Sequence, residues 1–216
     1  MTSRKILAFA AVSALSILPA LAILPAQALA QAAAGPASTP AAVQAGAYKL
    51  ETNHARIVWQ VSHLGFSEWF GDFSGATGTA TFDPKSKAGA GDAVSISIPV
   101  DSVTTTNAKL DGELKSPAWF DAAQFPVIAF KSTKVTTTGL ATADVTGDLT
   151  FHGVTKPVTL KVKFRASGVN PLTKRFTVGF DATTEIKRSD FGVKTYVPLV
   201  GDDVQITISA PFEKAG

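Results

Sequence analysis

Alternation of apolar and polar residues dominates this chain. From Val158 to Arg165, Val158, Leu160, Val162 and Phe164 alternate with Thr159, Lys161, Lys163 and Arg165. An extended backbone sends successive side chains to opposite faces, so the stretch is a strand with one dry and one wet face. Just upstream, Val145, Leu149 and Phe151 alternate with Asp144, Thr146, Asp148 and Thr150. The link from His152 to Pro157 holds a Gly and a Pro, which predicts a turn and an antiparallel hairpin. One hairpin is barely stable alone, so further strands must cover its apolar face.

The same period recurs along the chain. Ile57, Trp59 and Val61 predict a strand, and Phe73 to Phe82 reads as another with a bulge at Gly75 or Gly78. His63 to Asp72 is an aromatic-rich bend, short helix or bulged strand. Val94 to Val100 alternates, with Pro99 implying an edge or a bulge because it cannot donate to a ladder. Further strands fall on Ile128 to Val135, Phe176 to Ile186 and Val204 to Phe212. Between Asn107 and Ala118 the period changes: Asn107 can cap, and Leu110 and Leu114 lie four apart, which predicts a short helix. About eight strands and one inserted helix, without βαβ alternation, define an all-β antiparallel domain. Eight strands can close into a barrel with room for one small ligand; a two-sheet sandwich is the alternative.

The amino terminus has another character. Met1 to Lys5 is basic, Ile6 to Leu24 is apolar, and Ala28-Leu29-Ala30 offers small residues for cleavage. Residues 1–30 therefore read as a secretory signal peptide. The uncharged Ala/Pro/Gly stretch 31–46 reads as a flexible linker, and 47–214 as the folded domain. Without Arg4 and Lys5 the 20 basic residues become 18 against 17 acids, a net charge of +1. A nearly neutral protein without a basic cluster is a poor nucleic-acid binder. With no cysteine, thiol catalysis, thiolate metal sites and lipid attachment at cysteine are excluded.

The chemistry-bearing residues are sparse. His54, His63 and His152 are far apart, with no spacing for a metal. Gly65-Phe66-Ser67-Glu68-Trp69 misses the G-x-S-x-G nucleophile elbow at its last position. No metal, no cofactor and no catalytic residue are expected. What stands out is the aromatic content, 14 Phe and 3 Trp. Phe66, Trp69, Phe70, Phe73, Trp119 and Phe120 exceed what alternation requires. Either they fill a core, or with Trp59, Phe130, Phe164 and Phe180 they line an apolar cavity. Polar groups for the mouth of such a cavity are His63 and Arg188, within a charged stretch that also holds Lys187 and Asp190. Arg188 either pairs with Asp190 or meets a phosphate or quinone oxygen.

Three stretches together resemble the YceI-like polyisoprenoid-binding proteins. They are Ser102 to Thr133 with Trp119-Phe120-Asp121 and Phe125-Pro126, Gly147 to Val158, and Arg188-Ser189-Asp190-Phe191-Gly192. The resemblance implies a lipocalin-like barrel in the periplasm, holding an isoprenoid lipid of the polyprenyl phosphate or quinone type, without catalysis. The alternative reading is a stress-related interaction module with a packed interior, whose partner would be a membrane redox protein or another polypeptide. A homodimer is compatible with either.

Overall fold

Each alternating stretch becomes a strand. A computed structural model describes residues 35–86 and 89–216. Its strands are β1 (Gly46–Leu50), β2 (Arg56–His63), β3 (Ser67–Phe73), β4 (Thr77–Phe82), β5 (Ala93–Pro99), β6 (Val127–Gly139), β7 (Thr142–Phe151), β8 (Val154–Val169), β9 (Phe176–Lys187) and β10 (Val200–Lys214). One α-helix, α1 (Ala108–Lys115), lies between β5 and β6. All pairings between these strands are antiparallel, in the order β1-β4-β5-β6-β7-β8-β9-β10, and β1 returns to β10. The ring is closed.

Ten strands make eight staves because two staves are broken. β1 pairs with the end of β10 (Tyr48↔Lys214 to Leu50↔Phe212), and β2 pairs with its earlier part (Val204↔Val61 to Ser209↔Arg56). β4 lies beside β1 and β3 beside β2. Thus the stretch Phe73 to Phe82, expected as one bulged strand, is interrupted at residues 74–76. Gly75 turns there with φ 65°, a conformation open to glycine. The aromatic stretch from His63 resolves into the β2–β3 hairpin. Pro99 ends β5 rather than marking a sheet edge, since β5 has β4 on one side and β6 on the other.

The β7–β8 hairpin runs from Thr142↔Lys163 to Phe151↔Val154. Its turn is only His152-Gly153, shorter than the expected 152–157. Both residues have positive φ, and a Cβ on Gly153 would lie 2.5 Å from the Phe125 ring. Pro157 is inside β8, ahead of Lys161 where pairing with β9 begins, so a missing N–H can face an open side there. His152 Nδ1 sits 3.1 Å from the Phe191 carbonyl and ties the turn to the next loop.

The two ends of the barrel are covered differently. At one end lies the 100–126 insertion. Asn107 caps α1 by accepting from the N–H groups of Lys109 (3.1 Å) and Leu110 (3.3 Å). Asp111 accepts from the Thr105 N–H (2.6 Å) and hydroxyl (2.7 Å), which hold its carboxyl below the usual range. Leu114 and Trp119 are buried, and Phe120 packs on Phe73 and Phe151 at 6.1 and 5.3 Å. At the other end the described part of the expected linker is laid on the barrel. Ala37 bridges to Ser167 (2.7 and 2.8 Å), and Lys214 Nζ donates to Gln44 Oε1 (2.9 Å). Backbone pairing makes the first of these contacts, so an Ala/Pro composition does not forbid it. Residues 1–34, with the expected signal peptide and the start of the linker, lie outside the described residues.

Inward-facing Gly147 gives Phe130 its room: an added Cβ would meet the Phe130 ring and the Lys131 carbonyl at 2.5 Å. Gly147→Ala is expected to cost about 1–3 kcal/mol by overpacking, read as a lower urea midpoint at unchanged slope.

Candidate functional site

The inward faces of the staves do not meet. They surround a cavity of about 580 Å³. β8 contributes Val158, Leu160, Val162 and Phe164, the dry face of its alternation. β10 adds Val204, Ile206 and Ile208, and β7 adds Val145, Leu149 and Phe151. On the outside, Lys161 pairs with Asp144 (2.7 Å) and Arg165 with Asp181 (2.9 Å). Two aromatic groups lie toward the two ends. Phe82, Phe164, Phe180 and Phe212 stand 5.2–6.3 Å apart near the strap formed by residues 37–44. Phe73, Phe120, Phe151 and Phe191 form the other group near α1.

Of the expected lining residues, Trp59, Trp69, Phe73, Trp119, Phe120, Phe130, Phe164 and Phe180 face this cavity, as do His63 and Arg188. Phe66 and Phe70 do not. Phe66 sits in the β2–β3 turn, 92 % exposed. Phe70 alternates with inward Trp69 and Gly71, so it stands on the outer face opposite Gln60. Aromatic density had suggested lining for both; strand register decides otherwise.

Arg188 is not an open mouth residue, nor does it pair with Asp190. Its side chain is buried, the residue being 5 % exposed. Nε donates to the Gly201 carbonyl (2.8 Å), Nη1 to that of Val193 (3.1 Å) and Nη2 to that of Val200 (2.8 Å). The guanidinium also lies 5.4 Å from the Trp119 ring centre. Three of its five N–H groups are thereby used, leaving two uncommitted among the described residues. Burial lowers its pKa and nearby Asp202 opposes this; as an arginine it stays charged. Burial alone would raise the Asp202 carboxyl, yet hydrogen bonds from Ser189 and the charges of Lys187 and Arg188 bring it below its ordinary value. Lys187 points outward to Asp203 (2.5 Å).

Several lining residues carry no mark in the alternation or the motifs. Pro40 and Val43 belong to the strap, which is tied down at Ala37 through backbone. Tyr196 reaches the cavity beside Trp119, ring centres 6.2 Å apart, from a loop without periodicity. Asp92 lines the strap end and accepts the Asp83 N–H (2.7 Å). Burial pushes its carboxyl up, and the Asp83 charge adds to this. His63 stands 5.6 Å from the Trp69 ring at the α1 end.

A closed antiparallel barrel of eight staves around an apolar void belongs to the class of β-barrels built with a ligand-sized interior. Within that class the chain belongs to the YceI-like family: the YceI-like domain matches residues 48–212. It is similar to protein YceI of Escherichia coli O157:H7, 39 % identical over 164 residues that cover 75 % of this chain and 84 % of that one. A UPF0312 protein of Pseudomonas fluorescens (strain SBW25) is 40 % identical over 157 residues, 70 % of this chain and 79 % of that one. Among solved structures, Burkholderia cenocepacia BcnA superposes with a TM-score of 0.67 at 25 % identity, covering 75 % of this chain and 98 % of BcnA. A polyisoprenoid binding domain from Saccharophagus degradans shares the fold, with a TM-score of 0.58 at 15 % identity over 78 % of this chain and 98 % of that domain.

Two expectations follow. Arg188→Leu leaves the Val193, Val200 and Gly201 carbonyls without their donor and should cost about 3 kcal/mol in urea unfolding. For Asp92, a raised native pKa means a contribution that is full below the unfolded carboxyl value and lost as pH rises through the native one. Asp92→Asn keeps an acceptor for Asp83 and should raise the thermal midpoint at pH 7 but not at pH 3.

Proposed function

We propose that the barrel holds a long isoprenoid lipid of the polyprenyl phosphate or quinone type, with its tail in the interior. The observation that carries this is the apolar cavity of about 580 Å³. At roughly 30 Å³ per water-sized group, it takes about twenty carbon-sized groups, or about four five-carbon units. Each buried methylene contributes about 0.8 kcal/mol, so about twenty offer ~16 kcal/mol before ordering costs. A micromolar complex needs only about 8 kcal/mol net. The polyisoprenoid binding domain from Saccharophagus degradans, which has the same fold, supports the ligand class.

Charge placement favours one orientation. Asp92 at the strap end disfavours an anion, whereas Arg188 and His63 at the α1 end favour an acceptor-rich head group. The head is therefore placed at the α1 end. The role is binding without turnover, in the periplasm after removal of residues 1–30. The rival, an interaction module with a packed interior, has the open cavity against it.

Organic extraction of the purified protein and mass spectrometry should yield an isoprenoid lipid. Ala182→Phe places a ring into the interior from β9. It should displace about four carbons and weaken lipid binding roughly 100-fold, with the fold retained by circular dichroism. No lipid in extracts and no binding of added quinone or polyprenyl phosphate would overturn the proposal.

A further inference from the structure

The α1 end displays large apolar side chains to water. Leu64, Tyr196 and Leu199 are 48 %, 60 % and 62 % exposed, and Phe66 stands out beside them. They come from two loops held together by backbone bonds. Leu64 N–H donates to the Leu199 carbonyl (2.8 Å), Val200 N–H to that of Tyr196 (2.8 Å), and Phe66 N–H to that of His63 (3.1 Å). The Thr195 hydroxyl donates to the Ala118 carbonyl and fixes the second loop to the insertion. Leu64 and Tyr196 have φ of 57° and 58°, a left-handed backbone that bulky residues adopt at a cost. Two bulky apolar side chains are thus displayed to water from strained positions. Strained positions of this kind cluster at functional sites.

The rim is continuous with the cavity. His63, Tyr196 and Val200, from the same two loops, line it. We propose that Leu64, Phe66, Tyr196 and Leu199 dock this end of the barrel on a zwitterionic phospholipid surface of no net charge, from which the ligand enters. The inference rests on the isoprenoid reading. Such a ligand resides in bilayers, and crossing water would hydrate every methylene that the cavity then buries. Docking brings one apolar phase against the other. Aromatic and aliphatic tips are suited to the headgroup boundary. The charge around the rim selects the surface. Glu68 and Lys194, each two residues from a rim residue, are of opposite sign and both exposed. These two exposed charges cancel, so docking is by apolar insertion and insensitive to salt.

The test uses phosphatidylcholine vesicles and geranylgeraniol, a twenty-carbon isoprenoid alcohol, as probe. The purified protein should float with the vesicles at low and at high salt. Phe66→Asp with Leu199→Asp should float at least about tenfold less, since two apolar insertions are replaced by charges. It should load geranylgeraniol from vesicles correspondingly more slowly, yet bind it from detergent as the parent does. Unchanged binding from detergent also shows that the variant is folded. Equal loading from vesicles by variant and parent would overturn the docking alone. Failure of the parent to bind geranylgeraniol from detergent would overturn the ligand reading and the docking with it. A parent that sediments as a dimer which the two substitutions separate would assign the rim to self-association and overturn the docking.

Discussion

Closure of the hydrogen-bonded ring is the constraint on which the rest depends. β10 makes it possible by accepting two partners on one side, β2 along Val204 to Ser209 and β1 along Phe212 to Lys214. Its other side is taken by β9 from Asp203 to Glu213. Without β1 on the last residues of β10, both would be sheet edges with unpaired backbone groups. Because the wall satisfies its own backbone, the interior need not be filled to hold the strands together. That separation of wall from filling permits a void in a folded chain.

The two ends differ because different parts of the chain close them. The α1 end is built from side chains: Trp119 on Arg188, Phe120 between Phe73 and Phe151, and Trp119 Nε1 donating to Glu113 (3.2 Å). Arg188 joins this layer to the 192–201 loop through three carbonyls, so one cation organises both the loop and the adjoining cavity wall. The strap end is closed mainly by backbone, with Ala37 on Ser167 and the Tyr48 hydroxyl on the Gln44 carbonyl (2.6 Å). One end is thus fixed by specific side chains, the other by a segment whose sequence is nearly featureless.

That difference explains what could be read in advance. Alternation revealed β8 from Val158 to Arg165, because a half-buried strand must alternate; its first residues, Val154 to Pro157, read as turn in the sequence. Asn107 marked the start of α1, because its side chain makes the cap. Phe66 and Phe70 misled, since aromatic content is blind to which face a residue takes; pairing of Gln60 with Phe70 settles that face. The partners of Arg188 were hidden because backbone carbonyls are present at every position and carry no compositional mark. The strap was hidden for the same reason. The break between β3 and β4 was partly visible at Gly75, but a bulge and a break look alike until the neighbouring strands are placed.

The void itself argues about occupancy. In large-to-small core substitutions, residual cavities cost about 24 cal/mol per Å³, so a filled interior of this size would be worth ~14 kcal/mol more. That is comparable with the whole stability of an ordinary domain, about 5–15 kcal/mol. Folding alone would not leave such a space. The wall carries a second cost: among the described residues the buried Trp59 Nε1–H has no acceptor, and its ring lies on Gly71, where a Cβ would stand 2.2 Å away. An unpartnered donor of this kind is costly to bury. A molecule that enters the interior and binds only the folded barrel restores dispersion contacts along the lining and stabilises the fold by mass action. The empty barrel is therefore the less stable of two states, which fits a container better than a finished core.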